Sequence, residues 1–305
     1  MEDHRIIKVN SGAFKHLIFL DICIESFLRD VDLFCTDEDM TEDAKAVYRE
    51  KRKELIENLP YRTTFALTPG DMNVRRIEYK GKFIEFSPSP TGLPTLRDLD
   101  ILLYCESWIG NAPVEDRDND IYRVFQFEVE DFLEFSGRSM GGDRDDRLIQ
   151  ALDRLAGSKI TTNTIPFGQN YNTSFSYIPK YRLGRDANGK IKTVTLKITY
   201  RIFYLIQNDI FDYYHPDFLR LSPIRRAIYM VAMCHKDELF SPATLSFAKL
   251  HQMTGATSPL RKLKQTLRDL MDNPIPGHSF EINEADETVT FTQRRDVDVE
   301  ARYVG

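Results

Sequence analysis

One leucine-rich helical pattern occurs twice in this chain. Residues 148–155 read Leu-Ile-Gln-Ala-Leu-Asp-Arg-Leu and residues 263–270 read Leu-Lys-Gln-Thr-Leu-Arg-Asp-Leu, so an offset of 115 lays Leu148, Gln150, Leu152 and Leu155 on Leu263, Gln265, Leu267 and Leu270. Leucines at this spacing share one face of a helix. The same offset aligns Asp143 with Ser258, both helix-capping residue types, and Ile160 with Ile275. A glycine, Gly137 or Gly255, closes a short helical pattern before each copy, and segments suited to a strand pair come after. Helix, short helix, turn, helix and β-hairpin is the order of a winged-helix domain. The expected fold is therefore α+β: two tandem winged-helix domains, helix-turn-helix plus β-hairpin wings, over 61–210 and 211–305, behind an acidic helical N-terminal arm over 1–60.

The rest of the chain is read around that frame. Leu17, Leu20, Ile24, Phe27, Leu28 and Val31 give a helical pattern over 15–34, a charged helix covers 44–57, and Pro60 ends the arm. A hairpin is expected over 72–86 and a helix capped by Thr95 runs to about Trp108. A strand and short helix span 124–135, with strands near 159–166, 173–182 and 192–203. Asn188-Gly189 is a strong hairpin signal between the last two. Helical patterns over 222–236, 243–254 and 258–272 precede strands at 279–283 and 288–292.

Charge narrows the functional classes. The chain has 305 residues, 41 Lys+Arg against 47 Asp+Glu and a formal charge of -6, which alone would argue against nucleic acid. Residues 1–60 hold 9 basic against 14 acidic residues, but 218–270 hold 9 against 3, so one basic segment lies inside an acidic chain. No apolar run reaches the roughly 18–20 residues that span a bilayer, since Asp21 and Glu25 interrupt the best one. With no signal-peptide pattern at the N-terminus the protein reads as cytoplasmic. Cysteines 23, 35, 105 and 234 form no C-x-x-C pair and read as reduced thiols.

The two third helices carry the candidate contacts. With Leu260, Leu263, Leu267 and Leu270 inward, Arg261, Lys262, Lys264, Gln265 and Arg268 face solvent. Arg and Gln can read guanine and adenine edges bidentately, and Lys offers a point charge to phosphate. Ser258, followed by Pro259 at the first helical position, leaves free N–H groups for a phosphate. In the first copy Arg144, Arg147, Gln150 and Arg154 line up at helical spacing, diluted by Asp143, Asp145, Asp146 and Asp153. The first wing adds Arg185, Lys190 and Lys192, beside Arg182, whereas the second, Asn283-Glu-Ala-Asp-Glu287, is acidic and is expected to stay out of a groove.

Other chemistries find no support. Gly184 to Lys190 nearly spells a P-loop, but Ile191 stands where a Ser or Thr must hold magnesium. Asp116 to Asp120 starts like a calcium loop, yet Ile121 and Phe127 occupy its glycine and glutamate positions. The histidines include no His-x-His, and no nucleophile with its base can be named from spacing. The expectation is a non-enzyme with no metal and no cofactor.

Particular stretches resemble the plasmid replication initiator protein A family. They are Arg75-Arg-Ile-Glu-Tyr79, Pro88-Ser89, Gly92-Leu93-Pro94-Thr95, Asp98-Leu-Asp100-Ile-Leu-Leu-Tyr104, Gly141-Gly142, Leu155-Ala-Gly157-Ser-Lys-Ile160-Thr-Thr-Asn163 and Gly255-Ala-Thr-Ser258-Pro259-Leu260-Arg261, together covering about 61–292. The resemblance implies an initiator that binds repeated double-stranded origin sites (iterons), opens the duplex and recruits host replication factors. It implies two winged-helix domains, the second reading the major groove and the first mixing DNA contact with dimerisation, and marks Ser258 to Arg261 as the start of the reading helix. Implied partners are origin DNA, a second copy of the chain, and host initiator and helicase-loading proteins. Residues 1–60 do not match well. The face for a homodimer is expected near 96–109, on the strands after 159, or on the helix at 17–31. The alternative is a dimeric repressor on one palindromic operator; a nuclease or primase is a third reading without a ligand set.

Overall fold

The computed structural model describes residues 14–16, 47, 50, 64–79, 81–110, 123–139, 141–163, 172–207, 212–234 and 243–293. In chain order these form β1 (Phe14–His16), β2 (Arg75–Tyr79), β3 (Lys82–Ser87), α1 (Leu99–Gly110), β4 (Val124–Glu128), α2 (Val129–Ser136) and α3 (Arg144–Gly157). There follow β5 (Lys159–Thr162), β6 (Thr173–Phe175), β7 (Lys180–Arg185), β8 (Ile191–Lys197), α4 (Tyr200–Gln207), β9 (Asp212–Tyr214) and a 3₁₀ turn over Pro216–Arg220. The second half holds α5 (Pro223–Cys234), β10 (Ala243–Ser246), α6 (Phe247–Thr254), α7 (Leu260–Asp272), β11 (His278–Asn283) and β12 (Thr288–Gln293). The protein is mixed α+β.

The repeat seen in the leucines is also a repeat of topology. In the first half a strand, a short helix, a longer helix and a hairpin give an antiparallel sheet of order β4-β8-β7; in the second they give β10-β12-β11. Each opening strand pairs with the last strand of its hairpin, which closes the unit around the two helices. Leu148, Leu152 and Leu155 on α3 and Leu263, Leu267 and Leu270 on α7 are all buried, while Gln150 and Gln265 are exposed. Burying each leucine contributes about 1.5–3 kcal/mol. Gly137 (φ 63°) and Gly255 (φ 67°) end α2 and α6 in the left-handed conformation, which costs other L-residues about 1–2 kcal/mol.

The first half carries an insertion. Between α3 and the β7–β8 hairpin the chain adds β5 and β6, which pair onto β3 to make a four-stranded sheet of order β2-β3-β5-β6. The strand predicted over 192–203 stops at Lys197, and the apolar run Tyr200–Gln207 is helix α4. Residues 243–246 are a strand, not the first turn of a helix; the Ser246 hydroxyl accepts from the Lys249 N–H at 3.1 Å and starts α6 there. Residues 14–16 are likewise a strand, paired with β9, where a helix from 15 was expected. The remainder of that predicted helix, the predicted helix at 44–57 apart from positions 47 and 50, and residues 111–122 lie outside the described residues.

Two carboxylates at the start of α1 organise the interior. Thr95 N–H donates to Asp98 Oδ2 at 2.7 Å and Asp98 N–H donates to Thr95 Oγ1 at 3.2 Å, a reciprocal cap that fulfils the Thr95 expectation. Asp98 also takes both forks of Arg154, at 2.7 and 2.9 Å. Asp100, fully buried, takes Arg226 of α5 at 2.5 Å and Arg138 at 2.7 Å. Arg226 donates further to the carbonyls of Leu96, Leu219 and Leu221, so its charge is compensated as burial requires. Leu96, Leu99 and Ile101 to Cys105 are core, which removes these residues of the 96–109 stretch from a dimer face.

Candidate nucleic-acid interface

Helix α7 presents its cations as the spacing predicted. Pro259 is its N-cap, so Ser258 lies one residue outside the helix rather than capping it. His251 Nε2–H donates to the Ser258 carbonyl at 2.6 Å, which fixes the turn between α6 and α7. Arg261 and Lys262 are exposed on the first turn, and no side-chain hydrogen bond or ion pair is found for either among the described residues. Gln265 donates to Asp269 Oδ1 at 3.0 Å, leaving its amide oxygen as an acceptor.

The other two cations of α7 are already answered. Arg268 Nε meets Glu284 Oε1 at 2.8 Å and Lys264 Nζ meets Glu287 Oε1 at 2.5 Å, and both carboxylates belong to the turn between β11 and β12. The bond from Arg268 holds the Glu284 carboxyl below its usual range, and reciprocally raises the guanidinium. The acidic hairpin turn, expected to stay out of a groove, thus folds against α7. Glu287 sits at φ 53°, the one described non-glycine residue in the left-handed region.

Helix α3 does not present its row. Arg154 is 5% exposed and locked on Asp98, and Arg144 is 9% exposed, donating to the Ile191 carbonyl and to Asp145, each at 2.9 Å. Both are corrected from DNA contacts to structural residues: they lie on the inward side of the helix, where the acids of α1 and of α3 itself receive them. Arg147 and Gln150 remain exposed, Arg147 donating only to the Gly141 carbonyl at 3.1 Å. On the first wing, Lys192 pairs with Glu130 at 2.8 Å, while Arg185 donates to the Gly189 carbonyl at 2.6 Å and stands 3.9 Å from Asp145. Lys190 and Arg182 are exposed with no such partner among the described residues. Tyr181 of β7 donates to Asp153 of α3 at 2.5 Å; burial, then that bond, push its phenol up to about 12.

Of the nominated cations, those that stay available among the described residues are therefore Arg147, Arg182, Lys190, Arg261 and Lys262. Of the basic segment 218–270, Arg226 is core, Arg220 pairs with Asp217 at 3.2 Å, Arg225 donates to the Asn273 carbonyl at 3.0 Å, and Lys236 lies outside the described residues. Reading the sequence missed the hairpin-turn carboxylates as partners of α7, although four residues with three acids between two strands, Glu284 to Glu287, follow the most basic helix. Among the described residues no group of three or more His, Cys, Asp or Glu could hold a metal ion, and no helix is long and apolar enough to cross a membrane.

The family model for replication initiator protein A matches residues 58–280. A protein of Wigglesworthia glossinidia brevipalpis named "Putative replication protein" is 27% identical over 238 residues, covering 75% of this chain and 85% of that one. Among solved structures, domains 2 and 3 of RctB superpose with a TM-score of 0.54 at 16% identity, covering 79% of this chain and 98% of the other. A second crystal structure of the same two domains gives 0.53 at 14% identity, over 76% and 93%. At these identities the RctB likeness is one of fold.

Proposed function

The chain belongs to the replication initiator protein A family, and on that premise we propose that it initiates replication by binding repeated double-stranded sites of an origin sequence-specifically, opening the duplex and recruiting host replication factors. We read the two units, over 61–210 and 211–305, as winged-helix domains, with α7 as the reading helix. The observation that carries this is the outer face of α7. Its first turn shows Arg261 and Lys262 to solvent, followed by Gln265, on a helix whose opposite face is buried leucine. Arg261 and Gln265 suit base edges and Lys262 suits phosphate. The reading needs neither cofactor nor catalytic residue, and places the protein in the cytoplasm with its DNA.

Five available cations set the electrostatics. If each neutralises one phosphate, the logarithm of affinity falls with log salt at a slope of about -4.5. The sequence alone suggested about six to eight contacts and a slope of roughly -5 to -7; burial of Arg144 and Arg154 lowers that figure. The test is a footprint of the full chain on DNA flanking its own gene, against random duplex and across salt. Protection at evenly spaced repeats is expected. A lone protected palindrome would replace initiation with the repressor reading, and no protection would remove specific binding altogether.

A further inference from the structure

A cleft of 510 Å³ opens beside α2 and α3, bounded by the start of α1, the turn after Gly137 and Pro223 of α5. Its lining includes five arginines (97, 138, 144, 147 and 154) and a single carboxylate, Asp98. The balance of partners is uneven. Asp98 is occupied by Arg154, and Arg144 is paired with Asp145. Asp100, behind the wall, is shared by Arg226 and Arg138. Arg97 is half-buried and has no carboxylate partner, its guanidinium reaching only the Leu219 carbonyl at 3.3 Å. Arg138 keeps a buried Nε–H with no acceptor. Arg147 and Gln150 stand at the rim with no anionic partner, and the Ser139 hydroxyl is exposed there.

This is an excess of partly desolvated positive charge with donors still unused. Burial, and then the neighbouring Arg226 charge, hold the Arg97 guanidinium below its usual range, the Asp100 carboxylate offsetting them only in part. Asp100 is already engaged by Arg226 and Arg138, and a single carboxylate adds only one charge and two acceptor oxygens. A phosphate, with up to two charges and three or more acceptor oxygens, matches the guanidiniums of Arg97 and Arg138. The volume lies in the range of about 300–1,000 Å³ typical of small-ligand sites.

We propose that this cleft is a phosphate-binding site, with Arg97 and Arg138 as its principal ligands and Arg147 and Gln150 at its mouth. The phosphate can come from a free phosphorylated small molecule or from the backbone of bound DNA; the second source rests on the DNA-binding reading, the first does not. Sodium pyrophosphate, titrated calorimetrically into the full chain at low salt, is the probe. One saturable site is expected, weakened about tenfold or more in Arg97→Gln and unchanged in Arg268→Gln. Removing Arg97 strands no carboxylate, so the fold should survive, which a urea melt checks. Arg97→Lys keeps the charge without the fork and should fall between wild type and Arg97→Gln.

Duplex DNA supplies the second arm. If the phosphate is the duplex's own, Arg97→Gln makes the salt slope shallower by about 0.9, and any bound pyrophosphate competes with DNA. If it is a free anion, the slope is unchanged and only pyrophosphate binding is lost. Pyrophosphate binding undiminished by Arg97→Gln overturns the site, as does no saturable binding together with an unchanged duplex slope. Failure of the DNA reading itself registers separately, as an absent footprint, and leaves the pyrophosphate result standing.

Discussion

Helices α3 and α7 occupy equivalent places in two units of the same sheet order, yet they treat their arginines oppositely. On α3, Arg144 and Arg154 turn inward and are matched by acids at hydrogen-bonding distance; on α7, Arg261 and Lys262 point out unmatched among the described residues, and Lys264 and Arg268 are held from outside by the β11–β12 turn. The difference lies less in the helices than in what packs against them. Asp98 at the start of α1 gives the first unit a buried acceptor for Arg154, whereas the inward face of α7 is leucine. Helical spacing of basic residues therefore nominates a face but does not decide which way it looks.

The contrast should appear first in stability. Arg154→Ala leaves Asp98 as an uncompensated buried charge and should destabilise the protein by about 3–5 kcal/mol, measured by urea unfolding, while Arg268→Ala should leave the unfolding midpoint unchanged. Equal effects would erase the distinction. The shared leucine frame predicts the reverse symmetry: Leu152→Ala and Leu267→Ala should each cost about 2–5 kcal/mol, and a large gap between them would mean that one unit depends on its neighbours for a core.

Binding experiments sharpen the comparison at the surface. Arg261→Ala should lose about 1–3 kcal/mol of discrimination between an origin repeat and random duplex, read by competition, whereas Lys262→Ala should weaken both alike. Glu284→Gln with Glu287→Gln frees two cations of α7. If the wing stays in place when DNA binds, the salt slope should steepen by about 1.8 and random duplex should bind more tightly; an unchanged slope would mean that DNA already displaces the wing.

The smallest expected effect is a pH dependence of the second unit. His278 is buried, and desolvation keeps its imidazole below the usual 6.5, with Nδ1 near the Pro276 carbonyl and Nε2 lacking a partner. The unfolded chain accepts that proton more readily, so the contribution is complete above pH 6.5 and is lost as pH falls below it toward the depressed value. Urea melts between pH 7.5 and 5.5 should show this loss, and His278→Asn should remove it.

What could be read from the residues was whatever a local pattern determines. The leucine stripes of α3 and α7, the glycines ending α2 and α6, and the Thr95 cap are each set within a turn or two of chain, and all are present. The β10 strand was harder. It hands directly to a helix, and in 243–246 only Ser246, as the cap of α6, marks the change. Long-range partners were out of reach: nothing local joins Arg154 to Asp98, or Glu284 to Arg268. One clue was available. Arg97, Asp98 and Asp100 interrupt an otherwise apolar run from Leu96 to Leu103, and acids in such a run need buried cations.

The pairing of Asp100 with Arg226 also bears on how such proteins can be rearranged. The carboxylate stands in the first unit and the guanidinium at the start of the second, with the Leu96 carbonyl accepting from the same group. Neither half carries a neutral version of its own side of that contact. Severing the chain between them would leave Arg226 buried without its carboxylate, while Asp100 would keep Arg138, so the cost of separation falls mainly on the second half.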